Sequence, residues 1–141
     1  MKLILFNLKT DADDDLLGFA TNWINSIADR CERVFVITLE TGRISVRDNV
    51  TVYSVGREMN RDRLSLVLEF YRILSQILKN ERIDGCFAHM NHHFTVLAGP
   101  ILRAKKIPIV QWHCHKSTPL LLRIAHHFSE VIITASPEGC R

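Results

Sequence analysis

The chain has 141 residues, 47% of them hydrophobic and 23% charged, with 6 Gly and 4 Pro, which describes one globular domain rather than two. A chain of this length buries roughly 68% of the surface its unfolded form exposes, so it needs no disulfide or metal staple, and the small stapled classes are excluded. The net charge of +3, from 18 Lys and Arg against 15 Asp and Glu, is too small for a polybasic nucleic-acid arm, although a pI of about 8.8 leaves room for a local basic face.

The opening apolar run, Leu3 to Phe6, soon meets Asp11, Asp13, Asp14 and Asp15. It is too short for a secretory signal and predicts a first strand, Leu3 to Asn7. Leu16 to Ala28 follows as a helix, with Leu16, Leu17, Phe19, Ala20, Trp23, Ile24 and Ile27 recurring at helical period. Asp13 to Asp15 are expected in its first turn, where carboxylates complement the helix dipole. Arg33 to Leu39 and Val50 to Val55 are β-rich and read as the second and third strands, joined by a polar loop from Glu40 to Asp48. An amphipathic helix covers roughly Arg61 to Asn80, with Leu64, Val67, Leu68, Tyr71, Leu74, Ile77 and Leu78 on one face. Then come a fourth strand, Gly85 to His89, and a helix from Phe94 to Lys105 that Pro100 limits or kinks. A fifth strand spans Ile107 to Trp112, a last helix Pro119 to Phe128, and a sixth strand Glu130 to Ala135. This alternation predicts an α/β fold: a three-layer sandwich around a mostly parallel six-stranded sheet. There is no internal repeat or low-complexity linker, and no apolar stretch approaches the roughly 20 residues that span a bilayer. Membrane contact would therefore be peripheral.

In an open parallel sheet, ligands bind beyond the carboxyl ends of the strands. Five of the seven histidines fall there: His89, His92 and His93 after the fourth strand, His113 and His115 after the fifth. His126 and His127 close the last helix, a position that favours a cation on dipole grounds. Two chemistries compete for the cluster. Imidazoles with Cys114 could hold zinc or a similar ion, but the spacing matches no ligand signature, and neither loop offers Asp or Glu. Alternatively, the imidazoles bind an anion or a sugar hydroxyl, and one serves as general base. The four cysteines, Cys31, Cys86, Cys114 and Cys140, contain no CxxC pair and read as reduced thiols of a cytoplasmic protein.

The segment Gln111-Trp112-His113-Cys114-His115-Lys116-Ser117, the following Leu120 to Ala125, and Val131-Ile132-Ile133-Thr134-Ala135-Ser136-Pro137-Glu138-Gly139 closely resemble the N-terminal domain of family 4-like (group 1) glycosyltransferases. Asp84 to His89 and Ile107-Pro108-Ile109-Val110 are similar to two further strands of that family. The resemblance implies a Rossmann-like domain, one half of a GT-B fold, with residues 1–141 as a truncated acceptor-side half. Its partner would be a C-terminal donor-binding domain, in cis or trans, that holds a nucleotide-sugar. It further implies a retaining, hexosyltransferase-type enzyme of glycan biosynthesis that uses no cofactor or metal, acting on a sugar or lipid-linked acceptor in the cytoplasm or at the cytoplasmic face of a membrane. This half alone would be inactive. On this resemblance His113 orients the acceptor or acts as base, and His89 lines the same cleft. With them we group His92, His93, His115 and Lys116 as substrate-binding residues. Ser136 and Glu138 belong to a turn that Pro137 and Gly139 shape. The alternative reading is a non-catalytic or His-rich metal-binding α/β module. A receiver-like domain fits less well, because the later strand ends carry His rather than carboxylates.

Overall fold

The structure, a computed structural model, describes residues 1–114 and 119–135. All six apolar runs become strands: β1 (Lys2–Thr10), β2 (Arg33–Thr41), β3 (Val50–Ser54), β4 (Gly85–His89), β5 (Ile109–His113) and β6 (Val131–Thr134). The helices are α1 (Phe19–Ala28), α2 (Arg63–Asn80), α3 (His92–Ala104) and α4 (Leu120–Phe128). The strands form one sheet in the order β3-β2-β1-β4-β5-β6, parallel at every pairing. This is the Rossmann-like α/β order expected of a GT-B half-domain, with the chain reversing its direction across the sheet between β1 and β4.

The register sorts side chains between the two faces. Ile4 pairs with Phe35 and Cys86, whereas Leu5 pairs with Val36 and Phe87. On the first face Ile4, Phe6, Phe35 and Ile37 meet Phe70, Ile73, Leu74 and Ile77 of α2 and Phe94, Ala98 and Leu102 of α3. On the second, Leu5, Val34 and Val36 meet Ile24 and Ala28 of α1. Right-handed crossovers send the β1–β2 connection to one face and those from β3 onward to the other. Residues 42–49, between β2 and β3, contain no helix. Among the described residues, therefore, no helix covers the second face beyond the reach of Phe19 and Trp23 of α1, which extend to His89, Phe87 and Trp112. Val131 and Ile133, which continue the rows of Phe87 and His89, are 51% and 39% exposed.

Three expectations are corrected. The carboxylates at 13–15 lie ahead of α1, whose first turn holds no acidic residue. Asp14 instead accepts the Leu16 and Leu17 N–H groups at 2.9 and 2.6 Å and pairs with Lys9 at 2.6 Å. Those bonds hold a turn that delays the helix. In α2 the buried stripe is Phe70, Ile73, Leu74 and Ile77, while Leu64 and Leu68 are 66% and 61% exposed. Phe70 sets this phase by stacking on Phe94 at 4.5 Å and meeting Phe6 at 5.7 Å. Pro100 does not end α3, which runs on to Ala104.

Candidate functional site

The carboxyl ends of β1, β4 and β5 place polar side chains in the interior: Asn7, His89, Asn91 and His113 are all buried. Burial at these positions demands partners, and a network supplies most of them. Asn7 donates through Nδ2 to the Lys9 carbonyl at 2.8 Å and to Thr10 Oγ1 at 3.1 Å, and its Oδ1 accepts from Leu8 N–H at 3.0 Å. The same Oδ1 lies 3.3 Å from His89 Nδ1. Asn91 donates to the Asn7 carbonyl at 3.0 Å, fastening β4's end to β1's, and caps α3 by accepting from Phe94 N–H at 3.1 Å. Behind it Thr95 donates to Gln111 Oε1 at 2.7 Å, and Gln111 donates to the Ala88 and Trp112 carbonyls.

Between β4 and α3 the chain turns at Met90, whose φ of 58° is left-handed and whose N–H donates to the Trp112 carbonyl at 3.1 Å. This turn sends His89 to the sheet and His92 and His93 into the first turn of α3, where their rings stack at 4.4 Å. The ring of His89 is surrounded by Trp23 at 5.4 Å, Phe19 at 5.8 Å and Phe87 at 6.3 Å. Trp23 in turn meets Trp112 at 5.2 Å.

Electrostatics group the remaining imidazoles. His92 is pushed down to about 4, first by burial and then by the neighbouring His93, His113 and His126. His126 is lowered by burial and by His113. Burial alone lowers His89. His126 is thus corrected from a dipole-held cation to a neighbour of the cluster, because α4 turns it inward toward His113. His127 instead lies against Arg103 at 3.2 Å. Neutral imidazoles at neutral pH supply lone pairs, which suits accepting a hydroxyl proton or acting as base better than neutralising an anion. His89 Nε2 and His92 Nδ1 are buried with no hydrogen-bond partner among the described residues.

The structure therefore brings His92, His93 and His113 together on the α3 side of the sheet, whereas His89, in register with Trp112, faces the α1 side, so the expectation that His89 and His113 share one wall is corrected. His115 and Lys116, like Ser136 and Glu138, lie outside the described residues. Among the described residues, no three His, Cys, Asp or Glu side chains are placed to hold one metal ion. Nor, among them, is any helix long and apolar enough to cross a membrane. Sequence reasoning missed Asn7, Asn91 and His126. An amide closing an apolar strand was the available signal for the first, since β1 buries a polar group there only if it is bonded.

No protein-family model matches the chain, and no curated protein does. Solved structures do. A UDP-N-acetylglucosamine 2-epimerase aligns with TM-score 0.64 and 8% identity over 97% of this chain and 42% of its own. The UDP-GlcNAc 2-epimerase from Neisseria meningitidis, solved bound to UDP-GlcNAc, gives TM-score 0.61 and 12% identity over 99% of this chain and 41% of its own. The enzyme from Methanocaldococcus jannaschii gives 0.61 and 9% over 99% and 40%. The chain thus spans about two-fifths of the length of the structures it matches. At such identities the likeness establishes the fold, a GT-B-like Rossmann half-domain, and it does not single out family 4-like glycosyltransferases.

Proposed function

We propose that this domain is the sugar-side half of a nucleotide-sugar enzyme of the GT-B kind, acting as the acceptor-binding half of a glycosyltransferase. The observation behind this reading is the uncharged imidazoles His89, closing β4, and His92, opening α3, at the carboxyl end of the sheet beside the β1–β4 pair where the connections change faces. Such groups accept hydroxyl protons, and a pyranose is a dense array of hydroxyls. His113, buried at the end of β5, is assigned to orient the acceptor or to take its proton; His92 and His93 border the sugar, joined by His115 and Lys116. The nucleotide would be held by a donor-binding half in cis or trans, and the acceptor is a sugar, free or lipid-linked. The fold-level likeness to UDP-GlcNAc 2-epimerases favours a second reading, epimerisation of the sugar of the nucleotide-sugar itself.

Calorimetric titration of the chain with N-acetylglucosamine, UDP and UDP-N-acetylglucosamine tests the proposal. The expected result is binding of the two sugar-bearing probes, weakened about tenfold or more by His113→Ala, and no binding of UDP alone. Binding of UDP with no response to either sugar-bearing probe beyond that of UDP would overturn it. Product analysis after addition of a donor-binding half then separates transfer from epimerisation.

A further inference from the structure

We infer that Asn7 is a positioning residue that fixes His89 in one tautomer, with the proton on Nδ1, so that Nε2 is the hydrogen-bond acceptor for a ligand hydroxyl. The inference deepens the sugar-binding reading and rests on it. Asn7 cannot turn its amide around. Its Nδ2 already donates to the Lys9 carbonyl and Thr10 Oγ1, and its Oδ1 accepts from Leu8 N–H. A flip would set an NH2 group against the Leu8 N–H and cost both donated bonds, in a side chain that is itself buried. The atom facing His89 Nδ1 at 3.3 Å is therefore an acceptor, so Nδ1 carries the hydrogen. A neutral ring protonated there holds its lone pair on Nε2.

That nitrogen has no hydrogen-bond partner among the described residues, in a residue only 3% exposed. Apart from Asn7, the neighbours that ring geometry places against it are aromatic: Phe19 and Trp23 of α1 and Phe87 of β4. No charged group among these contacts competes for the lone pair. The aromatic faces also suit the C–H side of a pyranose ring, which leaves its hydroxyls to the imidazole. Phe19 and Trp23 stand in the opening turns of α1, whose N-cap, Gly18, supplies no side-chain hydrogen bond. An approaching ligand reaches Nε2 by displacing one of these two rings.

Long-range proton–nitrogen correlation spectra of the histidine side chains in the full chain read the tautomer directly. At pH 7 the wild type should show His89 with Nδ1 protonated. Asn7→Ala should move it toward the Nε2-protonated form that free imidazole favours, and Asn7→Asp, which keeps an acceptor opposite Nδ1, should restore the wild-type form and raise the ring's pKa. An Nε2-protonated ring in the wild type overturns the inference whatever the variants do, and an unchanged tautomer in a folded Asn7→Ala overturns it as well. With N-acetylglucosamine as the probe, the His89 Nε2 resonance should move in the wild type and much less in Asn7→Ala. Shifts at His92 and His113 with none at His89 would refute the role of Nε2 while leaving the sugar-binding reading standing. No shift at any of the three would refute that reading itself.

Discussion

At the residue scale the clearest consequence of the imidazole cluster is its response to acid. In an unfolded chain a histidine takes its proton near pH 6.5, whereas His92 in the folded protein is held down at about 4. Between those values the unfolded state binds more protons, so stability falls as pH drops from about 6.5 toward 4 and is fully kept above it. His89 and His126 are lowered as well and push in the same direction. Lys9, pairing with Asp14 at 2.6 Å, holds that carboxyl down at about 2; its protonation weakens the fold only at much lower pH. His92→Gln, which keeps a polar side chain at the start of α3, should flatten the decline of Tm between pH 6.5 and 4. A slope equal to that of the wild type would show that His92 is charged in the folded protein after all.

At the scale of elements, the contact between α3 and α4 depends on the absence of a side chain at Gly99. A Cβ built there would lie 2.8 Å from Phe128 Cβ and closer still to its ring. Alanine in a helix interior is worth up to about 1 kcal/mol over glycine, but overpacking a buried contact costs about 1–3 kcal/mol, so the clash decides the sign. Gly99→Ala should lower stability by about 1–2 kcal/mol in urea unfolding, and in a Phe128→Ala background the same change should become neutral or stabilising. Additive effects would mean that Phe128 is not the obstacle. Element type was legible wherever a period was unambiguous: Gly85 to His89 matches β4 residue for residue, and His113 closes β5, although the register turns His89 and His113 to opposite faces of the sheet. Phase was not, because Leu64 and Phe70 both sit on plausible stripes of α2, and the choice was made by the stacking of Phe70 on Phe94, a contact between distant segments. The same holds for the site. Strand ends located the imidazoles, but His126 joined them only because α4 packs beside α3, and Asn7 became informative only when β4 was laid against β1.

At the scale of the whole molecule, the strand order explains a surface that composition could not reveal. With the β1–β2 helix on one face and the helical connections from β3 onward on the other, α1 is the helix on the second face among the described residues, joined there by Val46 of the β2–β3 loop. It covers β1 and β2, sets Phe19 and Trp23 against His89 and carries Trp23 on toward Phe87 and Trp112. Beyond Trp23 the rows run out through Val110, Val131 and Ile133 to the edge strand β6, with Val131 and Ile133 exposed. Contiguous exposed apolar surface beside an open strand edge drives association. The chain should therefore associate with itself as its concentration rises, seen as a concentration-dependent sedimentation coefficient. Val131→Lys together with Ile133→Glu should suppress that association, because each places a charge on the uncovered face. Both residues are exposed, so the pair should change unfolding stability by only about 0.5 kcal/mol per site. A wild-type chain that sediments as a monomer up to high concentration would mean that the described residues do not leave this face open to solvent. A variant that associates as strongly as the wild type would place the contact on another surface of the sheet or on its helices.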